Sequence, residues 1–312
     1  MEKRILCVGL ACVDSVWFCK DFPKEDSDQR VLDQSQHRGG NASNNSTVLG
    51  ALGVPCEFMG TIADTYEKVF LKESFAQANV RADNCPIHKG CACPVSVAIV
   101  NQQNGSRTIL HSNKNLPELS FEEFTKSVDL SKNEYSWIHF EGRPSASEIS
   151  RMLEAIHRHN AAVDASHRVV TSVELEKTKP QLEILVDKAD YVFISKEHAH
   201  YHGLKTKEET VQEFSHRCRA DATVICPWGE DGAIGRSPDG TISSSPIFSP
   251  ERVVDTLGAG DTFIASTIAA FNQGAALKEA VTFGCQVAGA KCGMQGFTGL
   301  KQFRGKIPGK HK

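Results

Sequence analysis

Short apolar runs, each about the length of one buried β-strand, alternate along the chain with amphipathic stretches of helical length. Four runs are typical of strands buried on both faces, and they span residues 4–10, 136–142, 190–195 and 222–228. The amphipathic stretches include residues 145–160, 180–188 and 206–218. Strands that alternate with helices form βαβ units, whose strands are parallel. The pattern therefore predicts an α/β fold with three α/β/α layers and a mostly parallel sheet.

Two segments interrupt this alternation. Residues 14–38 follow the first strand without a helical period, and residues 94–112 carry alternating apolar residues around Asn104-Gly105, a strong hairpin signal. We expect a small β layer from residues 12–40 and 93–113, standing off the α/β core. Such a layer lies where a lid would close over a site, although a decorative hairpin without a function is the alternative.

Charge and cysteine usage exclude some classes of function. The 35 basic and 38 acidic residues are mixed along the chain and give a net charge of −3, so we expect no surface for nucleic acid or membrane. Eleven cysteines are scattered, and most lie in apolar runs, which is typical of reduced core cysteines in a cytoplasmic protein. No segment reaches the roughly 20 apolar residues of a membrane span.

The sequence DTLGAGDTF at 255–263 is followed by apolar residues at helical spacing as far as Gly274. It therefore places Gly258, Ala259 and Gly260 at a helix N-terminus, where free amides and the helix dipole favour an anion such as phosphate. The alternative, which the local sequence supports equally, is a glycine turn required for packing, with Asp261 as an ordinary first-turn acid.

An acid inside an anion site has a chemical use if the phosphoryl group is transferred rather than held. A hydroxyl that attacks a phosphate needs a base, and the transferred group needs amide donors beside it. Asp261 and the three preceding amides can supply both, and the helix dipole is expected to keep Asp261 ionised. The chain contains neither the P-loop motif nor the dinucleotide-binding glycine motif after its first strand.

Two motifs together resemble the signatures of the ribokinase-like (PfkB-type) carbohydrate kinases. RGGNASN at 38–44 is similar to the N-terminal signature of that family, and DTLGAGDTF is similar to its C-terminal signature. Within the family, the similarity is greatest to the branch that phosphorylates fructose on its 1-hydroxyl. The resemblance implies a ribokinase-like fold with a Rossmann-like core. It also implies one kinase domain over residues 1–312, a nucleotide-binding half at 190–300, and ATP with Mg²⁺.

For the sugar, the resemblance implies that Asp14, Asn41 and Asn44 hydrogen-bond the hydroxyls and that Asp261 is the catalytic base. Carboxylates and amides suit vicinal hydroxyls. From the residues alone, both asparagines are also candidates for helix capping, since NASNNSTVLGAL indicates a helix that ends at Gly53. One can cap while the other binds. Asp14 is by itself an ordinary solvated loop acid.

For the nucleotide, the resemblance implies a larger set of residues around the phosphates and the adenosine. They are Arg107, Lys196, Gly229, Glu230, Gly232, Gly258, Gly260, Phe263 and Cys292. From the residues alone, the first is an exposed strand arginine, the last two are core residues and 229–232 is an ordinary turn. The family also implies a monovalent cation, usually K⁺, near Asp255 and Thr256. Many members carry an N-x-x-E motif where this chain reads SKEH at 195–198, so the residues around Mg²⁺ are left open.

The resemblance further implies a homodimer in which the β lids clasp each other and the partner's Asp26 reaches the sugar. Such pairing would also cover exposed lid edges. Three functions stay open at this point. They are a fructose kinase, a kinase of the same fold for ribose, adenosine or tagatose, and a catalytically silent sugar or nucleotide sensor. Retention of Gly258, Gly260 and Asp261 together argues against the silent sensor.

Overall fold

The computed structural model describes residues 2–104 and 106–309. The strands in these ranges are β1 (Arg4–Val8), β2 (Cys12–Cys19), β3 (Asp33–Gly39), β4 (Cys56–Met59), β5 (Ile62–Ala63), β6 (Ile87–His88), β7 (Val95–Asn101), β8 (Arg107–Ser112), β9 (Tyr135–Glu141), β10 (Val170–Leu175), β11 (Tyr191–Ile194), β12 (Thr223–Pro227), β13 (Ala233–Arg236) and β14 (Ile242–Ser245). The α-helices are α1 (Asn41–Leu52), α2 (Glu67–Gln77), α3 (Phe121–Ser127), α4 (Ala146–Ala162), α5 (Lys196–Tyr201), α6 (Lys207–Arg217), α7 (Ala259–Asn272) and α8 (Leu277–Cys292). None of the described helices is both long and apolar enough to span a membrane.

The large sheet has eight strands in the order β14-β13-β12-β11-β10-β9-β1-β4. Pairing is parallel from β4 to β12, and it is antiparallel at the edge formed by β13 and β14. Successive residues of β1 face opposite layers, since Ile5 and Cys7 pack into one core while Leu6 and Val8 pack into the other. Helices cover both faces, and the predicted α/β fold with a mostly parallel sheet is confirmed.

The four predicted strands form β1, β9, β11 and β12. The other four strands of the large sheet, β4, β10, β13 and β14, were not predicted, and one predicted helix also differs from the structure. β10 lies between β9 and β11 and was not predicted, because its polar residues interrupt the apolar run. The stretch at 180–188 forms a 3₁₀ helix at Pro180–Leu185 and not an α-helix. This helix is short, begins with proline and buries Leu182 and Leu185, so one tight turn is enough to cover the core.

The small sheet has the strand order β3-β2-β7-β8. It arises from the two segments that interrupt the strand–helix alternation, as the sequence predicts. The predicted hairpin at Asn104-Gly105 connects β7 to β8, and its Gly105 lies outside the described residues. All six residues of β8 are exposed, so the small sheet ends in an open edge. Its role as a lid stays a prediction.

Candidate active site

The two glycines of RGGNASN allow β2, β3 and α1 to approach one another closely. A Cβ atom on Gly39 would lie 2.0 Å from Oδ2 of Asp14. Gly40 precedes α1 with φ of 98°, and a Cβ atom there would lie 2.1 Å from the carbonyl oxygen of Leu10. Glycine adopts this backbone conformation at low cost, whereas other residues do not. The pair therefore makes room for the carboxylate of Asp14 beside the start of α1.

Arg38 holds the first two turns of α1 in place. Its guanidinium donates hydrogen bonds to the carbonyl oxygen of Ser43 at 3.1 Å and to Oγ1 of Thr47 at 2.7 Å. It also stacks 3.7 Å from the ring centroid of Phe75. Burial lowers the pKa of Arg38 to about 9. Arg38 therefore acts as a positioning residue for the helix that carries both asparagines of the motif.

α7 begins within the second signature, as predicted. Gly258 precedes it with φ of 77°, and a Cβ atom there would lie 2.6 Å from the ring of Phe297, so packing also requires this glycine. In the described part of the chain, the amides of Gly258 and Gly260 have no acceptor, whereas the amide of Ala259 donates to the carbonyl oxygen of Thr256 at 3.2 Å. Unpaired amides at a helix N-terminus suit an anion. The sequence predicts that the amide of Ala259 is also available to an anion, but in the structure this amide is already used.

Asp261 lies in the first turn of α7 and is 8% exposed. Its Oδ2 accepts a hydrogen bond of 2.7 Å from Nδ2 of Asn44. Its carbonyl oxygen accepts one of 2.9 Å from Nδ2 of Asn45. Among the described residues, nothing donates a hydrogen bond to Oδ1 of Asp261. The start of α1 and the start of α7 are thus joined by one fixed carboxylate with one oxygen available.

The pKa of Asp261 is raised to about 8, mainly by burial and in part by the charges of Glu176 and Glu141, against the opposing hydrogen bond from Asn44. The expectation that the helix dipole keeps Asp261 ionised at neutral pH is therefore wrong for this structure. Removing the carboxylate from water costs more than the dipole contributes. A base whose pKa lies near the working pH is nevertheless well suited to proton transfer.

Further acids lie beside Asp261 at the carboxyl end of β10. Nδ2 of Asn41 donates a hydrogen bond of 2.8 Å to Oε2 of Glu176 and lies 3.3 Å from both oxygens of Glu174. Burial raises the pKa of Glu174 well above its ordinary value. The residue that precedes α1 is Gly40, and no side chain caps the helix. The capping alternative for the asparagines is therefore not observed.

Glu141, the last residue of β9, connects three segments of the site. Its Oε2 accepts hydrogen bonds from the amides of Leu10 at 3.0 Å and Ala42 at 3.1 Å, and its Oε1 pairs with Arg143 at 3.0 Å. A Cβ atom on Gly9 would lie 2.6 Å from Oε2. The sequence analysis did not predict Glu141, Glu174 or Glu176 as residues of the site. The signal for Glu141 was an acid at the end of an apolar run in WIHFEGR.

A cleft of about 660 Å³ separates the small sheet from α1 and from the loops at 253–257 and 295–298. Asp14 and Arg107 line it from the small sheet, Asn44 lines it from α1, and Asp255 and Thr256 line it from the loop at 253–257. Nη1 of Arg107 donates a hydrogen bond of 2.7 Å to Oγ1 of Thr256. The cleft thus brings predicted sugar and phosphate residues together, and their roles stay predictions.

The residues predicted to surround the adenosine lie at the ends of β11 and β12. Lys196 is the first residue of α5, and its Nζ lies 5.6 Å from the ring centroid of Trp228. The turn that contains Glu230 is a 3₁₀ helix at Gly229–Asp231. Gly232 follows with φ of 75°, and a Cβ atom there would lie 2.1 Å from the carbonyl oxygen of Ser245. Packing alone thus requires Gly232, so it does not by itself indicate a nucleotide.

The lining of the cleft does not include the start of α7 with Asp261, nor Asn41, nor three further predicted residues. Phe263 is buried in the core, where it packs against Gly284, and this matches its alternative as a core residue. Cys292 has a free thiol. Its backbone carbonyl oxygen accepts a hydrogen bond of 3.2 Å from the amide of Asp255, so the residue supports the turn before α7. Asp26 is exposed on the loop between β2 and β3 with φ of 55°.

The expected potassium site near Asp255 and Thr256 conflicts with the position of Lys291. Nζ of the buried Lys291 donates to the carbonyl oxygen of Asp255 at 2.9 Å and also binds its Oδ2. The amide of Gly296 donates to the same carboxylate oxygen at 3.2 Å. A cation at this place would need these oxygens, but an ammonium group already binds them. The oxygens of Asp255 therefore do not suit K⁺, and K⁺ takes no part in the steps proposed below.

Known proteins resemble this chain along nearly its whole length. The sequence profile of the pfkB family carbohydrate kinase matches residues 2–301. Ketohexokinase of Mus musculus is 45% identical over 299 residues, which cover 96% of this chain and 99% of that protein. A 5-dehydro-2-deoxygluconokinase of Bacillus thuringiensis is 22% identical over 299 residues, with coverages of 90% and 86%. The solved structure of Arabidopsis thaliana ribokinase complexed with ribose and ATP has a TM-score of 0.81 at 17% identity, with coverages of 98% and 99%.

Asp261→Asn is expected to stabilise the fold by an amount that grows with pH. The pKa of Asp261 is raised from 3.8 to about 8. In the pH window between these two values, the folded protein holds a proton that the unfolded chain has lost. Wild-type stability therefore falls as pH rises, and the variant lacks this penalty. The difference in the free energy of unfolding should grow by up to about 1.4 kcal/mol per pH unit. Urea unfolding at several pH values measures it.

Asp239→Asn is the matched control for that experiment. Asp239 is exposed, and the amide of Thr241 holds the pKa of its carboxyl below the ordinary value. The carboxyl is ionised in both the folded and the unfolded chain above its ordinary pKa, so this variant should shift stability equally at every pH in the upper part of the window. An equally pH-independent shift for Asp261→Asn would contradict the raised pKa.

Proposed function

Since the chain belongs to the pfkB family of carbohydrate kinases, we propose that it transfers the γ-phosphoryl group of ATP to the 1-hydroxyl of fructose. The products are fructose 1-phosphate and ADP. The chain is a sugar kinase by its family, and its identity to a ketohexokinase supports fructose as the acceptor. The observation that carries the proposal is the hydrogen bond of Asn44, a residue of the cleft, to Asp261 at the helix N-terminus.

Asp261 is the general base in this reaction. The 1-hydroxyl oxygen attacks the γ-phosphorus, and the bond from that phosphorus to the β–γ bridging oxygen breaks, with the electron pair leaving on ADP. The hydroxyl proton passes to Oδ1 of Asp261. Asn44 holds Oδ2, so the second oxygen can face the hydroxyl. The unpaired amides of Gly258 and Gly260 stabilise the charge of the transferred group.

The sugar binds in the cleft between the small sheet and α1. The carboxylate of Asp14 accepts hydrogen bonds from hydroxyls, and Gly39 leaves it the room to do so. The amide nitrogen of Asn41 is engaged with Glu174 and Glu176, so its Oδ1 is the group it offers to the sugar. Asn44 offers its own Oδ1 while its Nδ2 holds the base. Asn41 and Asn44 therefore each combine a structural contact with an Oδ1 that accepts no hydrogen bond from the described residues.

ATP binds across the C-terminal half, with its phosphates between the start of α7 and Arg107 and its adenosine near Lys196 and the turn at 229–232. The ribokinase neighbour whose structure is described as complexed with ribose and ATP supports this use of the fold. Mg²⁺, when bound, neutralises phosphate charge as the group is transferred. Glu174 and Glu176 near Asp261 carry oxygen atoms that suit this ion through water, since Glu176 is itself paired with the ammonium of Lys177.

A cytoplasmic location is also part of the proposal. All eleven cysteines are free, and most of them are buried. Burial raises the pKa of Cys7 and Cys226 above the ordinary value, which keeps these thiols protonated and unreactive. Free thiols in a protein core are typical of a reducing compartment.

Fructose is expected to give the highest kcat/KM when sugars and nucleosides are compared by ADP formation. Phosphorus NMR of the product should show the phosphate on C1. The analogue 1-deoxyfructose should bind without forming product, because it lacks the acceptor hydroxyl. Ribose, adenosine and tagatose are the controls, and they should react more slowly because hydrogen-bonding sites discriminate against misplaced hydroxyls. A higher kcat/KM for any of them would identify a different acceptor, and binding without ADP formation would support a silent sensor.

We also propose a homodimer that pairs through the small sheets. β8 is an open edge, and exposed apolar side chains lie on or beside this sheet. They are Trp17, Leu32, Ile109 and Leu110. A free strand edge beside exposed apolar residues favours pairing with a second copy. Asp26 lies on the exposed loop of the same sheet, from which it can reach the cleft of the partner.

Mixing two impaired variants tests the shared site. Asp26→Ala removes the acid offered to the partner, and Asp261→Asn removes the base, so each variant alone should be strongly impaired. Each heterodimer then contains one complete site, and an equal mixture should recover about a quarter of wild-type activity. Asp28→Ala, an exposed acid of the same loop, should keep full activity. Absence of recovery, or a fully active monomer in sedimentation, would contradict the proposal.

A further inference from the structure

Glu183, His198 and His202 form a cluster of metal-ligating side chains that does not belong to the cleft. Glu183 lies on the 3₁₀ helix Pro180–Leu185, His198 lies in α5, and His202 follows α5 directly. Oε1 of Glu183 is 2.9 Å from Nε2 of His202 and 3.7 Å from Nε2 of His198. The three ligand atoms all lie within 4.8 Å of one another. One ion can therefore contact all three.

His198 presents an unused ligand atom to this cluster. The side chain is 0% exposed, and its Nδ1 donates a hydrogen bond of 3.0 Å to the carbonyl oxygen of Lys177. Its Nε2 has no hydrogen-bond partner in the described part of the chain. A carbonyl bond at Nδ1 fixes the tautomer whose Nε2 carries a lone pair, and metal-binding histidines are oriented in the same way.

The spacing and the ligand types fit a tetrahedral transition metal. With bonds of about 2.0–2.2 Å, neighbouring ligands of such a site lie roughly 3.3–3.6 Å apart. The distances from Oε1 of Glu183 are 2.9 Å to Nε2 of His202 and 3.7 Å to Nε2 of His198, which bracket that range. The shorter one is a hydrogen bond that Nε2 of His202 donates to Glu183, and a bound ion would replace it. Two imidazoles with one carboxylate suit Zn²⁺, whereas Mg²⁺ prefers oxygen ligands. The side chains of Glu183 and His202 are partly exposed, which gives an ion a path of entry and a water molecule a coordination position.

Arg217 competes with a metal ion for the same ligands. Its guanidinium pairs with Oε2 of Glu183, and its Nη1 lies 3.4 Å from Nδ1 of His202. These contacts offset the charge of Glu183 when no ion is bound. They leave Nε2 of His198 without a partner, although an unpaired polar atom is costly to bury. A metal ion is the partner that would satisfy this nitrogen.

We propose that Glu183, His198 and His202 bind a transition-metal ion such as Zn²⁺, with water as the fourth ligand. The ion displaces Arg217 from Glu183 and ties the 3₁₀ helix to α5. Through Nδ1 of His198 it also holds the carbonyl oxygen of Lys177, next to the glutamate that binds the first asparagine of α1. This site is independent of the sugar that the enzyme phosphorylates, so either proposal can fail without the other.

Titration of the chelator-treated full-length protein with Zn²⁺, in competition with a colorimetric chelator, measures the site. The wild type should bind one equivalent of Zn²⁺. Glu183→Gln and His202→Ala should bind Zn²⁺ at least about tenfold more weakly. The matched control is His200→Ala, which removes an exposed histidine from the same helix and should leave binding unchanged. Arg217→Gln should bind Zn²⁺ more tightly, because Glu183 then loses its competing cation.

Co²⁺ provides the spectroscopic readout. It should give the intense visible bands of a tetrahedral ion without a sulfur-to-cobalt charge-transfer band, since the proposed ligands are nitrogen and oxygen. Zn²⁺ should also raise the unfolding temperature of the wild type and His200→Ala, but not of His202→Ala. A charge-transfer band would place the ion on cysteines, and equal binding by the wild type and His202→Ala would show that binding is adventitious. Either result overturns the proposal.

Discussion

The hydrogen bond between Asn44 and Asp261 joins residues that lie 217 positions apart in the chain, and the rest of the site is arranged around it. It exists only if the start of α1 and the start of α7 are both fixed. Arg38 and the Gly39-Gly40 pair fix the first, through hydrogen bonds and a close approach to neighbouring backbone. Gly258 fixes the second by packing under the ring of Phe297. The two sequence signatures are thus the two halves of one contact.

Burial gives this carboxylate its chemistry. In water Asp261 would be ionised at neutral pH but weakly basic, whereas burial beside Glu141 and Glu176 raises its pKa to about 8. The amide of Ala42 and the side chain of Arg143 hold Glu141, and Asn41 holds Glu176, so both side chains keep their positions. The same burial lowers stability as pH rises, which is a cost that active sites commonly carry. Reactivity and instability therefore have one physical origin.

Much of the fold is readable from local sequence, because most of the central strands are apolar runs that no solvent-exposed element would carry. β10 is the exception, since its polar residues find their partners on other strands. Ser172 accepts a hydrogen bond of 2.7 Å from Nε1 of Trp137, and Thr171 binds Asp190. Such contacts are invisible until the chain is folded. The motifs predicted Asp261 and Asn44 as functional residues. The raised pKa of Asp261 and the presence of Glu174 and Glu176 in the site depend on such contacts, so the sequence could not predict them.

We propose that Asp261 is the base of the reaction and that burial sets its pKa. The pH dependence of kcat/KM for fructose tests this most directly. The ionised carboxylate is the active form, so kcat/KM should rise about tenfold per pH unit at low pH and level off near the pKa of Asp261, about 8. In Asp261→Asn, kcat/KM should fall by roughly 100-fold or more and lose this rise. A kcat/KM of the wild type that does not change with pH, or a variant that keeps both the rise and the turnover, would show that Asp261 is not the base.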